Sequence, residues 1–450
     1  MSSPWSAERV LALAPDPASA SAGQGLALAS KWKSLARSER AVWGLCHGSG
    51  KDPYQVRVDL SDPAFKCSCP SRKFPCKHGL ALMLLLVNDE KGFTAETEPG
   101  WVAEWIVSRG ERAEKKIEKA ASTERSVDPE AQAARQAKRE SRVKDGVAQC
   151  RVWLEDLARR GLAAAQNEPA SFWEQPAARM VDAQAMGLAI AIRRIAESIS
   201  SGDGWHVRTL DQMGRLHLLL TAAERLDALP PALGGDVRIA LGWTQSKDEA
   251  LAQAGVADRW MVLGQITEEE ERLKARRTWI VGRATGRRAM LLDFAAGNQP
   301  LEPSFLVGTE FDGEVVFFPS AQPLRALVKA RTGATAMIRE IPASAGDAGC
   351  EAALAGYASA LAQVPWLARW PMLLMGVTPH ARTEQRSVMD EHGRCLPIKT
   401  RDGDFWRLIS FSGGRPVSVL GEWDGEYLLP VAVLRADTGA FDDVAPRWVA

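Results

Sequence analysis

The sequence carries no surplus of charge. Lys and Arg total 56, Asp and Glu total 56, and the net charge is zero. That balance excludes a uniformly basic nucleic-acid coat protein and an acidic disordered chain, and leaves room only for a local basic site. Long apolar runs are also missing. The best one, Leu80 to Val87, has eight residues, where about 20 are needed to cross a bilayer. The start, Met1-Ser-Ser-Pro-Trp-Ser-Ala-Glu-Arg9, has no charged stretch followed by an apolar one, so no secretory leader and no membrane partner are expected. Cysteines are few, odd in number and unevenly spread, seven in all. Reduced thiols in a cytoplasmic chain fit this better than a disulfide scaffold.

Several catalytic signatures are absent too. There is no Gly-x-Ser-x-Gly, no His-Glu-x-x-His and no clear repeat at a period of 20–50 residues. Gly44-Leu-Cys-His-Gly-Ser-Gly50-Lys51 invites a phosphate-loop reading. It fails, because counting back from Gly50 reaches Leu45 and Asp52 follows the lysine. Asp390-Glu391-His392 and Cys395 form a loose polar group that reads as a surface loop. A non-enzymatic protein is therefore expected.

What is present is ordinary for a folded chain: 46% apolar and 25% charged residues over 450 positions, enough for two to four domains. The expected fold class is α+β and multidomain. Residues 1–39 read as a lead-in, with Ala18 to Gly25 as a loop. In 40–92, Ala41 to Cys46 and Tyr54 to Leu60 read as strands of a hairpin around a Gly48–Pro53 turn, and Gly79 to Asn88 as a buried helix. Residues 93–165 read as a charged helical linker. Trp101 to Arg160 carries 14 basic and 11 acidic residues and few large apolar ones, the pattern of a solvated helix laced with ion pairs.

Residues 166–234 read as a helical domain. Val181, Met186, Leu188, Ile192, Ile195 and Ile199 fall on one face, as do Leu210, Met213, Leu216, Leu220 and Leu226. His217 reads as an interfacial histidine, and Pro230-Pro231 as the end of the helical part. Residues 235–450 read as a β-rich half. Its strands are expected at Val237–Trp243, Arg259–Ile266, Thr278–Ala284, Ala289–Phe294, Gly313–Phe318, Met372–Val377, Phe405–Phe411, Pro416–Leu420 and Tyr427–Leu434, with a helix at Cys350–Gln363.

One cluster stands above this background. Cys67-Ser-Cys69-Pro-Ser-Arg-Lys-Phe-Pro-Cys76-Lys-His78 places three cysteines and a histidine within 12 residues. Three thiolates and an imidazole make the closed, four-coordinate set of structural zinc. Cys-x-Cys and Cys-x-His each reach one ion across a tight turn, and Pro70 and Pro75 stiffen the loop between them. A disulfide would strand one cysteine, and a catalytic zinc would want an open position and a nearby base. One structural Zn²⁺ on Cys67, Cys69, Cys76 and His78 is the expectation.

Cys-x-Cys, a six-residue spacer and Cys-x-His, after a hairpin and before a helix, resemble the SWIM-type zinc finger over roughly residues 40–90. The resemblance implies a small ββα finger with those four ligands. It also implies a module that binds DNA or protein. Trp43 to Leu86 is similar to bacterial SWIM proteins encoded beside MoxR-type AAA ATPases and von Willebrand A-type proteins, which implies such proteins as candidate partners of the C-terminal half. Charge speaks to nucleic acid: Lys66, Arg72, Lys73 and Lys77 lie in the finger loop, and no acidic residue occurs from Phe65 to His78. The same cations would also stabilise a thiolate-rich site on their own, so nucleic acid and protein both stay open as ligands.

Overall fold

The computed structural model describes residues 5, 7–14, 17–48, 52–60, 64–71, 73–108, 129–270, 273–296, 301, 305–382, 385–400, 402–434 and 441–443. The first unit contains helices α1 (Ala7–Ala12) and α2 (Pro17–Leu26) and strands β1 (Trp32–Arg37), β2 (Ala41–Cys46), β3 (Tyr54–Asp59) and β4 (Ala64–Cys67). Helix α3 (Lys77–Asn88), strand β5 (Thr94–Ala95) and helix α4 (100–108) complete it. The sheet order is β4-β3-β2-β1-β5.

Alternation in β3 explains the layering. Val56 and Val58 are buried against α3, which is covered along its whole length because residues 78–86 are all buried. The opposite face, with Trp43 and Ala36, is covered by Val102 of α4. Ala18 to Gly25, expected as a loop, belongs to α2. Its alanines and glycines allow close packing on α3: a Cβ on Gly23 would stand 3.0 Å from Leu80 Cβ.

The second unit is a helical bundle: α5 (Pro129–Arg160), the short α6 (Leu162–Ala165), α7 (Ala170–Asp182), α8 (Met186–Ile199), α9 (Trp205–Glu224) and α10 (Pro231–Leu241). The expectation of a solvated linker fails for the part described. Val143, Val147, Cys150, Leu154 and Leu157 give α5 one buried stripe in the bundle core, diluted in the sequence by charges on the other faces. Residues 109–128 of that segment lie outside the described residues. Pro231 does not end the helical part. It starts α10 at a position where proline's missing N–H costs nothing, so Val237–Trp243 is mostly helix and not strand. His217 faces solvent rather than an interface. Helices α8 and α10 touch at Gly187, where a Cβ would lie 1.8 Å from the Ala240 carbonyl oxygen.

The third unit follows the short α11 (Lys247–Leu251). Strands β6 (Val256–Glu270), β7 (Leu273–Gly282), β8 (Arg288–Ala296), β9 (Thr309–Phe317) and β10 (Ala326–Met337) form one sheet in the order β10-β9-β6-β7-β8. After α12 (Cys350–Gln363) come β11 (Trp370–Arg382), β12 (Gln385–Met389), β13 (Cys395–Pro397), α13 (Asp402–Ser412), β14 (Val417–Trp423), β15 (Leu428–Leu434) and β16 (Phe441–Asp443), in the order β13-β12-β11-β14-β15-β16.

The two sheets share one design. Counting strands from the start of each, the first runs 3-2-1-4-5 and the second 3-2-1-4-5 with β16 added at its edge, and in both an isolated parallel bridge links the third strand to the fifth at their ends: Met290 to Arg325 and Ile398 to Leu428. Each is thus a five-stranded Greek-key barrel. The long first strand of each pairs with strand four through its first part and with strand two through its later part. A shift in register lies beside a glycine, Gly264 or Gly376. No short-period repeat in the sequence discloses this.

The barrels pack together through Met261, Leu263 and Trp279 of the first against Leu373, Leu420 and Val431 of the second. Phe405–Phe411, expected as a strand, is helix α13, whose Phe405 and Leu408 fill the second barrel. Its apolar residues recur every three or four positions, a helical period. Strand β10 was not anticipated, because glycine and alanine interrupt it.

Candidate metal centre

Each of the four expected ligands is held by a different local device. Cys67 ends β4, where it pairs with Val56 of β3. Beyond it, Ser68 prolongs the ladder: its N–H donates to the Gln55 carbonyl at 3.0 Å, and its Oγ accepts from the Gln55 N–H at 2.9 Å. That clamp sets the turn carrying Cys69. Cys76 is the N-cap residue of α3, and His78 lies in the helix's first turn.

The loop between the pairs is pinned by Phe74, whose ring meets Phe65 edge-on at 6.3 Å. Gly79 is needed at the third helical position, since a Cβ there would meet the Phe65 ring at 3.0 Å. The Tyr54 ring packs against His78 at a tilt of 46°, with ring centroids 4.9 Å apart. The sequence reading missed Tyr54 as a supporting residue. Its place opposite Cys46, at the turn end of the hairpin, was the available signal.

The donor atoms of Cys67, Cys69, Cys76 and His78 all lie within 4.8 Å of one another. His78 Nδ1 stands 3.8 Å from Cys67 Sγ and 4.0 Å from Cys76 Sγ. A tetrahedral zinc with the usual bond lengths sets such atoms about 3.6–3.8 Å apart, so a contraction of at most about 1 Å accommodates the ion. Donor chemistry agrees with the geometry. The Cys76 thiol is pushed down to about 4, chiefly by the hydrogen bond with Cys67, helped by His78 and the Gly79 N–H. Cys67 moves up through that same hydrogen bond and burial, and Cys69 moves up mainly through burial. Zinc binding must therefore displace protons from these two. Cys46 lies nearby but outside the set. Burial pushes its thiol up to about 11.

The basic residues fall around this centre. Lys66 on β4, Lys73 in the loop and Lys77 at the start of α3 are all exposed. Arg72 lies outside the described residues, as do Gly50 and Lys51 of the discarded phosphate-loop reading. Upstream cations are engaged elsewhere: Arg37 pairs with Glu90, and Arg40 pairs with Glu98 at 2.6 Å. The polar group at 390–395 is structural. Asp390 is buried and accepts from the backbone N–H groups of Cys350, His392 and Arg394 at 2.9–3.0 Å.

A sheet-and-helix knuckle closing four soft donors round one point defines a zinc-finger protein. Comparison with known families agrees. The SWIM zinc finger model matches residues 54–86, and the model of the SWIM-associated four-helix bundle domain matches residues 138–241. The chain thus carries a SWIM-type zinc finger and a SWIM-associated bundle, with Cys67, Cys69, Cys76 and His78 positioned to bind one zinc ion. No match was found among curated proteins or among solved structures. No helix among the described residues is long and apolar enough to cross a membrane.

Proposed function

We propose that the finger is a nucleic-acid-binding module and that the protein acts without catalysis. The observation carrying this reading is the placement of Lys66, Lys73 and Lys77, exposed around the metal centre on a loop-and-helix surface with no acidic residue from Phe65 to His78. Four protein ligands complete a zinc ion's coordination, which supports a structural ion and argues against an activated water. All seven cysteines are free thiols, which supports a reducing, cytoplasmic setting.

The test is fluorescence anisotropy of a labelled 20-base-pair duplex across a salt series. The expected result is binding whose salt slope falls by about two in a Lys73→Ala/Lys77→Ala variant that retains its zinc, close to one counterion per lost phosphate contact. No binding at low salt, or an unchanged slope, overturns the reading.

A second reading is an adaptor whose C-terminal half binds a protein, an AAA ATPase or von Willebrand A-type protein being the candidates. It is supported by Trp406 on α13, 60% exposed beside the buried Phe405, since exposed tryptophans often anchor protein interfaces. Retention of a partner by the wild-type chain and its loss in Trp406→Ala is the expected outcome for that reading.

A further inference from the structure

The finger's helix, α3, has almost no surface of its own. Every residue from His78 to Leu86 is buried. On one side α3 lies against Val56, Val58 and Phe65 of the sheet. On the other it is covered by α1 and α2, so closely that a Cβ on Gly23 would stand 3.0 Å from Leu80 Cβ. The far face of the sheet is closed in turn by α4, through Val102 and through Trp101 and Trp105 on Arg57. Around the metal centre, the exposed residues among those described are Lys66, Ser68, Pro70, Ser71, Lys73 and Lys77.

This burial limits how the finger can hold nucleic acid. A module that reads base edges lays a helix or a two-stranded ribbon in the major groove, about 12 Å wide and 8.5 Å deep. A helix with its side chains is about 10–12 Å across. Two helix layers with a sheet between them exceed ~20 Å and do not enter. Arginine, asparagine and glutamine pair with base edges through two-point contacts, and none is among the exposed residues just named. The Ser68 and Ser71 hydroxyls already accept from the Gln55 and Lys73 N–H groups, at 2.9 and 3.2 Å.

Single strands are held by open aromatic faces on which bases stack. Here the described rings around the centre are engaged. Phe74 meets Phe65, Tyr54 packs on His78, and Trp101 and Trp105 lie under Arg57. Three lysine ammoniums remain, and each is a point charge suited to a phosphate.

We infer that the finger grips the phosphate backbone of a double helix without reading its sequence. The inference rests on the nucleic-acid reading and adds the class of target. A duplex is favoured over a single strand because its two strands present one charge per about 1.7 Å of axis. Three phosphate contacts give a salt slope of about −2.7, so affinity should fall about 40-fold between 50 and 200 mM salt.

The test is competition for a labelled 20-base-pair duplex on the full zinc-loaded chain at 50 mM salt. The competitors are an A·T-only duplex, a G·C-only duplex and a 20-nucleotide single strand. A pool of duplexes with randomised centres is also taken through selection and sequenced. The two duplexes should compete within fivefold of each other, the single strand at least fivefold more weakly than either, and no motif should be enriched. Lys66→Gln, with zinc content unchanged, should weaken both duplexes by the same factor. Specific readers separate sites by about 10³–10⁷. A preference above fivefold, an enriched motif, or a single strand within fivefold of the duplexes therefore overturns the inference. No binding of any probe at 50 mM salt is a different failure: it overturns the nucleic-acid reading itself, and the inference with it.

Discussion

Glu268 gives a prediction whose size follows from its surroundings. Its carboxylate takes both terminal nitrogens of Arg277, at 2.7 and 2.9 Å, and Arg369 at 3.0 Å. Arg277 also reaches across to the second barrel, where buried Glu422 accepts from it at 2.9 and 3.1 Å and from Trp279 Nε1 at 2.8 Å. The Arg277 hydrogen bonds push Glu268 down to about 2 from its ordinary 4.5, against the effect of burial, with Arg369 assisting. Holding this carboxyl at about 2 instead of 4.5 contributes about 3 kcal/mol at neutral pH. The site is 27% exposed, so solvent discounts this only slightly.

A depressed carboxylate stabilises the fold above its unfolded pKa, and that stability drains away as pH falls through its folded pKa. Glu268→Gln keeps the shape and removes the charge. Amides of the β6–β7 hairpin should then exchange about 100-fold faster than wild type at pH 7. By pH 3 more than half of the free-energy gap should be gone. Hydrogen exchange read by mass spectrometry is the assay. A gap of less than threefold at pH 7, or one that is the same at pH 3, refutes the electrostatic argument.

Gly187→Ala would drive a Cβ to 1.8 Å from the Ala240 carbonyl oxygen. Backbone must move to relieve it, so a cost of about 3 kcal/mol or more is expected, seen as loss of bundle protection in hydrogen exchange. Arg57 sits with its guanidinium over Trp101 and Trp105, at 4.9 and 5.6 Å, and its buried Nε has no hydrogen-bond partner. Burial lowers its pKa. Arg57→Met, which keeps the packing and drops the desolvated charge, should be within about 1 kcal/mol of wild type or better. Arg57→Ala should lose about 2–3 kcal/mol in thermal unfolding of the finger.

The metal centre was legible because its information is local. Four ligands within 12 residues state their own geometry, and the flanking strand and helix had unambiguous periods. The α12 boundaries were legible for the same reason, since Cys350–Gln363 lies between a glycine and a proline-containing turn. What was not legible depended on partners distant in sequence. The buried stripe of α5 is five residues among many charges, and only α7, α8 and α9 give it a core to enter.

Leu210 and Val181 looked like core from spacing alone, yet 58% and 37% of each is exposed. Apolar periodicity marks a face without saying what covers it. Val237–Trp243 and Phe405–Phe411 are short apolar runs in which helix and strand periods differ by few residues, and packing decided both. The paired barrels were hidden because register and closure are set by bridges between residues about 30–35 apart, such as Met290 and Arg325.

The central claim, one structural zinc on Cys67, Cys69, Cys76 and His78, is tested most directly by metal analysis of the wild-type chain and of Cys67→Ser, both purified without chelator. The account predicts one zinc per wild-type chain. It predicts less than a tenth of that in the variant, with protection lost around β4 and the start of α3 and the bundle and barrels intact. A wild-type chain without zinc, or a Cys67→Ser chain that keeps a full equivalent, would contradict it.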